Sequence, residues 1–267
     1  MNDLLLEIDQ YSGGFRTPDG HLAPVLHEVR YGLRRGMLTA VVGETGSGKS
    51  LTALSILGLQ PRAFRRTGGR ILFDGTDLLA LSGRAMRAIR GRRISMVFQD
   101  ARAALNPVFT VGQQLADVHR LQHGGSRRAA MAAAVEALRR VRVPEPERRV
   151  RQYAHEFSGG MAQRAMIAMA ALICRPELLI LDEPTTGLDV TIQAEIMELI
   201  VELCRSRGLT ACLITHDLGV VAETCDAVVV MQSGRVVETG STEAIFTRPQ
   251  HPYTRRLLAA SQLTEAA

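Results

Sequence analysis

The segment Gly43-Glu44-Thr45-Gly46-Ser47-Gly48-Lys49-Ser50 constrains this chain more than any other. It fits the spacing G-x-x-x-x-G-K-[ST], with an apolar run at residues 38–42 before it and a helix-compatible stretch over residues 49–59, beginning Lys49-Ser50-Leu51, after it. A strand, a glycine-rich loop and a helix in that order predict a parallel α/β unit. The glycines let successive N–H groups turn inward on an anion, and the helix adds its positive N-terminal end. Lys49 is then expected to reach the β- and γ-phosphates of a nucleotide and Ser50 to ligate Mg²⁺. A bare glycine-rich turn would require neither flank.

Composition supports the loop. Among 32 basic residues Lys49 is the only lysine. A flexible ammonium and a planar guanidinium are not interchangeable, so the one exception falls where the chemistry forbids the swap. The net charge of +5 and pI near 9.4 raise the question of nucleic acid. The arginines, however, fall in small groups such as Arg62, Arg65 and Arg66 without interleaved aromatics. They predict a solvated surface, with contact to an anionic membrane face as the second option, and no nucleic-acid partner. No run of about 18 apolar residues occurs, and the first residues lack a basic and apolar leader, so cytosolic residence is the default. Cys174, Cys204, Cys212 and Cys225 lack metal-ligand spacing and are expected to be reduced thiols, mostly in the core.

Along the chain, residues 4–9 and 25–31 read as strands joined by the turn Thr17-Pro18-Asp19-Gly20, and residues 70–73 after Gly68-Gly69 read as another, which together predict an antiparallel β-layer. Tyr11 is expected in the core. Phe15 either packs there or stacks on an adenine ring. Residues 93–98, 178–181 and 210–215 are buried strands, and residues 228–231 and 235–238 form a hairpin around Ser233-Gly234. Between Ala101 and Arg151 helical periodicity dominates, at residues 111–121 and 128–140. Ser158-Gly159-Gly160 has the residue types of a helix start, with the helix continuing to about Cys174. The expected organisation is an α/β core at residues 1–100 and 158–240, a helical subdomain at 101–157, and a C-terminal tail at 241–267.

Strands alternating with helices predict a mostly parallel sheet with its ligand site beyond the carboxyl ends of the strands. Those ends carry Gly43, Gln99, Asp182-Glu183 and His216. Phosphoryl transfer to water needs charge neutralisation, a positioned water and a γ-phosphate sensor. Asp182 suits Mg²⁺ directly or through water, Glu183 is placed to polarise the attacking water, Gln99 to bridge metal and water, and His216 to contact the γ-phosphate. Taken singly, the Asp-Glu pair also fits a helix cap and His216 a structural role. Ser158-Gly159-Gly160 is a second helix N-terminus fit for an anion. One nucleotide cannot occupy both, so a facing partner that sandwiches each nucleotide is expected.

In order and spacing, the glycine-rich loop, Gln99, Phe157-Ser158-Gly159-Gly160-Met161-Ala162-Gln163-Arg164, the strand ending in Asp182-Glu183, Thr186-Gly187-Leu188-Asp189 and His216 resemble the ATPase subunits of ABC transporters. The resemblance implies the P-loop NTPase (RecA-like) core of the ABC ATPase fold, with these segments as Walker A, Q-loop, signature motif, Walker B with its catalytic glutamate, D-loop and switch histidine. It also implies nucleotide contacts at Phe15, Leu51, Gln163 and Asp189, and ATP with Mg²⁺ as the bound species. Ala104-Leu105-Asn106-Pro107, Tyr153-Ala154-His155-Glu156-Phe157-Ser158 and the tail Arg248-Pro249-Gln250-His251-Pro252-Tyr253-Thr254 are similar to the dipeptide, oligopeptide and nickel importer ATPases. The expectation is the motor subunit of a peptide importer, with nickel or a metal chelate as the alternative cargo and a soluble ATPase acting on nucleic acid or ribosomes as the competing class. Its implied partners are two transmembrane permease subunits, a second ATP-binding subunit, identical or paralogous, and indirectly an extracytoplasmic solute-binding protein, at the cytoplasmic face of the inner membrane. Phe157, Ala154 and Gly187 depart from the family pattern, where Leu, Pro and Ala are usual, but remove no phosphate ligand. No cysteine follows Cys225, so the iron–sulfur cluster that many such subunits carry after the tail is not expected.

Overall fold

A computed structural model of the chain describes residues 3–265. Residues 1–2 and 266–267, part of the start read for a leader and of the tail, lie outside the described residues. The elements begin β1 (Leu4–Arg16), β2 (Leu22–Arg34), β3 (Leu38–Val42), α1 (Lys49–Ile56), β4 (Phe64–Phe73), β5 (Thr76–Asp77), α2 (Gly83–Ile89), β6 (Ile94–Val97) and α3 (Ala101–Ala104). They continue α4 (Val111–His123), α5 (Arg127–Arg140), α6 (Pro146–Arg149), α7 (Gly159–Ile167), β7 (Leu178–Asp182) and α8 (Val190–Arg207). Last come β8 (Thr210–Ile214), α9 (Leu218–Thr224), β9 (Ala227–Gln232), β10 (Arg235–Ser241), α10 (Thr242–Thr247) and α11 (Pro252–Glu265). The chain forms two compact units: residues up to Arg87 with those from Thr210 onward, and Ala88–Leu209.

In the first unit β3 runs parallel to β8 and β9, and β10 returns antiparallel to β9. Every residue of β3 and β8 is buried, as their continuous apolar sequences require of strands covered on both faces. The antiparallel layer has the order β2-β1-β4-β5. Its inward residues Leu6, Ile8, Leu33, Ile71 and Phe73 are fully buried, and so is Tyr11.

Strand β4 begins at Phe64, earlier than the glycine pair at which the sequence suggests a start. Residues 64–68 pair with the second half of β1, Phe64 opposite Phe15 and Arg66 opposite Gly13, and the register slips around Ser12. The glycine pair is therefore an irregularity inside the strand. Gly69 comes so close to the opposing chain that a Cβ there would lie 2.4 Å from the Gln10 carbonyl oxygen.

In the second unit β6 and β7 are parallel, with Ile94 opposite Leu178 and Val97 opposite Leu181. Helix α4 opens on a capping box in which Thr110 accepts from Gln113 N–H and the Gln113 side chain accepts from Thr110 N–H. Helix α8 starts at an Asp189 cap and stops at Gly208 in the left-handed region. The helix expected to run to Cys174 changes character: α7 gives way to a π-helical stretch, Ala168–Ile173, where Cys174 N–H reaches back five residues to the Met169 carbonyl. Cys204, Cys212 and Cys225 are buried and Cys174 is half-buried. Among the described residues no helix is long and apolar enough to cross a membrane.

Candidate functional site

The glycine-rich loop leaves the buried strand β3 at Gly43 and enters α1 at Lys49. Gly43 has φ +147°, and a Cβ there would lie 2.0 Å from the Met231 carbonyl oxygen. Gly48 has φ +98° and caps α1, which has no side-chain cap and no acidic residue in its first turn. The N-terminal end of that helix thus keeps its positive character for an anion. Lys49 is 6% exposed, and its Nζ donates to the carbonyls of Gly43 (2.7 Å) and Glu44 (2.9 Å) and to Ser47 Oγ (3.4 Å). The ammonium is therefore folded inside the loop it would share with a phosphate. Glu44, Thr45 and Gly46 are exposed, Ser47 is buried, and Ser50 and Leu51 are half-buried in the first turn of α1.

In the same unit Phe15 lies half-buried near the end of β1, its ring edge-on to Phe64 at 5.6 Å. His216 is exposed just after β8, next to Asp217, whose carboxylate accepts from Val220 N–H (3.0 Å) and caps α9.

The second unit brings Gln99 and Glu183 together. Gln99 follows β6, and its Nε2 donates to Glu183 Oε2 at 2.9 Å. Asp182 ends β7 and is 8% exposed, whereas Glu183 steps into the left-handed region with φ +45°. That non-glycine conformation is uncommon and costs about 1–2 kcal/mol. Thr186 Oγ1 donates to the same Glu183 oxygen at 3.0 Å. Gln193 on α8 holds the next turn by donating to the carbonyls of Thr185 (3.1 Å) and Leu188 (3.0 Å). Asp189 accepts from Ile192 N–H (3.0 Å) and Ser158 from Met161 N–H (3.2 Å), so each caps a helix. Gly159 and Gly160 form the first turn of α7, where a Cβ on Gly160 would meet Ile192 Cγ2 at 2.7 Å. Gln163, on the same helix, is 3% exposed.

The donors fit a magnesium nucleotide. Phosphate would meet a cationic loop and an uncapped helix start, where Ser50 offers a hydroxyl; in the second unit, Asp182 and Gln99 carry oxygens of the kind Mg²⁺ prefers. Sequence reasoning missed three supporting groups. Thr186 and Gln193 stand inside or just beyond the quoted motifs, where their hydrogen-bonding side chains were the available signal. Arg102, which donates to the Phe157 carbonyl at 2.6 Å just before Ser158, had none.

The ABC transporter family matches residues 26–186 of this chain. A probable peptide ABC transporter ATP-binding protein of Sinorhizobium fredii is 52% identical over 96% of this chain and 76% of its own length. The oligopeptide transport ATP-binding protein OppD of Salmonella typhimurium is 47% identical over 97% of this chain and 76% of its own. Among solved structures, cbiO1 from Clostridium perfringens, part of the ABC transporter complex cbiONQ, superposes with TM-score 0.77 at 29% identity, covering 99% of this chain and 100% of that one. The dimeric ATP-binding cassette MJ0796 bound to ADP and Pi superposes with TM-score 0.79 at 24% identity, over 89% of this chain and 98% of that one, a likeness of fold.

Proposed function

This chain belongs to the ABC transporter family, and we propose that it is the ATP-hydrolysing motor subunit of an importer that takes up peptides. The observation that carries the reading is the loop from Gly43 to Ser50, with Lys49 buried inside it and the start of α1 left for an anion. The cargo rests on the relatives, whose names specify peptides, oligopeptides and dipeptides rather than nickel.

Lys49 and the N–H groups of the loop bind the β- and γ-phosphates, and Phe15 stacks on the adenine ring. Ser50, Asp182 and Gln99 are the residues that would hold magnesium, which would supply charge neutralisation. Glu183 takes the proton of the attacking water on its carboxylate while Gln99 holds that carboxylate in place, and His216 hydrogen-bonds the γ-phosphate. Ser158, Gly159, Gly160 and Asp189 face the nucleotide held by a second ATP-binding subunit, whereas Gln163, expected among them, is 3% exposed and packs inside its own unit. Residues 101–157 serve as the helical subdomain and 241–267 as the tail. ATP then joins the pair and hydrolysis releases it, a two-state element able to move two permease subunits at the cytoplasmic face of the inner membrane.

The test is to delete the gene, measure uptake of labelled di- and oligopeptides and of nickel, and identify what co-purifies with the tagged chain in mild detergent. Loss of peptide uptake with co-purification of two multi-spanning proteins and a second ATPase supports the reading. Loss of nickel uptake alone, or capture of nucleic acid, refutes it.

A further inference from the structure

The segment after α10 is built as a brace. Glu238 on β10 accepts from the backbone N–H groups of Gln250 (2.7 Å) and His251 (3.0 Å). Arg255 on α11 closes the turn by donating to the carbonyls of Pro249 (3.0 Å) and Gln250 (3.1 Å). His251 Nδ1 accepts from Tyr253 N–H at 3.2 Å. These contacts start α11 in a fixed direction and send Tyr253, 2% exposed, inward.

The tyrosine ends on the glycine-rich loop. Its hydroxyl accepts from Glu44 N–H at 3.0 Å, a contact between positions 209 residues apart. The other side of Glu44 is held as well: its carbonyl accepts from Lys49 Nζ (2.9 Å) and from Ser47 N–H (3.1 Å). The tail therefore holds the amide of the residue whose carbonyl holds the lysine. Without that acceptor the Glu44 N–H must find water or another partner, and the Gly43–Glu44 peptide is held at its carbonyl end by Lys49 Nζ and no longer at its N–H end. Preorganisation of a binding loop is lost when such a peptide can turn.

We propose that Tyr253 is a positioning residue for the phosphate-binding loop, acting through the Glu44 peptide, and that the tail turn anchored on Glu238 holds it there. The competing account is that the hydroxyl only pins α11 to its unit. The inference rests on reading the loop from Gly43 to Ser50 as a phosphate cradle.

Tyr253→Phe separates the accounts, because it keeps the ring and removes one oxygen. In the full-length protein we expect the dissociation constant for a fluorescent ATP analogue, and KM for ATP, to rise about three- to tenfold, the loss of one hydrogen bond. The kcat should stay within about twofold, since no reacting group is touched. Glu238→Gln should raise KM in the same direction, and the double variant should be less impaired than the product of the two single effects. A Tyr253→Phe protein with unchanged ATP affinity and KM overturns the inference, whether or not its melting temperature falls. If the unaltered chain itself fails to bind ATP, the cradle reading has failed; if it binds and Tyr253→Phe binds equally, only the role of Tyr253 has.

Discussion

Gln99 Nε2 and Glu183 Oε2 lie 2.9 Å apart, so the glutamine after β6 directly holds the glutamate after β7. With Thr186 on the same oxygen, the carboxylate is oriented from two directions. Glu183→Gln should therefore cut steady-state phosphate release by at least about a hundredfold, the usual worth of a positioned general base. ATP binding should survive. Phosphate release and nucleotide binding measured on one preparation check both halves.

Lys49 sits inside its loop at 6% exposure, and Lys49→Ala should weaken ATP binding by at least about tenfold, near the worth of a charge-assisted hydrogen bond. Lys49→Arg should not restore it, because a guanidinium fork does not fit where a compact ammonium meets two carbonyls. Calorimetric titration with ATP reads both variants.

The loop glycines differ in what they tolerate. At Gly46 (φ +83°) a Cβ meets nothing within 4 Å, whereas at Gly43 it would lie 2.0 Å from the Met231 carbonyl oxygen. Gly46→Ala should cost about 1–2 kcal/mol, the left-handed penalty alone, and Gly43→Ala clearly more. Denaturant midpoints at unchanged slope provide the comparison.

The tail turn should weaken in acid. Burial pushes the Glu238 carboxyl up, but the Gln250 N–H, the Thr254 hydroxyl and the His251 N–H and ring together outweigh it and hold the pKa below the ordinary 4.5. A depressed carboxylate contributes stability above its unfolded pKa and loses it as pH falls through the folded one. The stability difference between the unaltered chain and Glu238→Gln should accordingly be full at neutral pH and shrink below 4.5, as followed by melting curves across pH.

Burial pushes the Cys225 thiol up to about 11. Only the thiolate attacks, so maleimide at neutral pH should leave Cys225 unmodified in the folded protein and label it after denaturation. Peptide mass analysis of the two samples decides it.

Much of this was legible because it is local. The spacing from Gly43 to Ser50, the apolar strand running into Asp182-Glu183 and the cap at Ser158 all act within a few residues, where sequence pattern is most informative. The extent of β4 was not legible: Gly68-Gly69 looks like a boundary until the facing backbone of Gln10 shows why small residues continue the strand. For Phe15 the sequence left packing and adenine stacking both open, and its partner Phe64, 49 positions away, was beyond local pattern. The Tyr253 segment stood out as a motif, and the His251 contact shows it to be a turn that starts α11. Its target, Glu44, lies 209 positions away, beyond any local pattern.

The turn between β9 and β10 is a two-residue one, Ser233 and Gly234, both at positive φ (47° and 73°). Gly234 N–H donates to the Ser47 carbonyl (3.0 Å), its own carbonyl accepts from His27 N–H (2.8 Å), and a Cβ on it would lie 1.8 Å from the Val25 carbonyl oxygen. For anyone inserting an epitope or fluorescent reporter into this protein, the hairpin tip is thus a poor choice despite its outward look, since added residues there would pull on the loop at Ser47. The exposed turn at Pro18-Asp19-Gly20, where Gly20 has no neighbour within 4 Å of an added Cβ, is the permissive graft site.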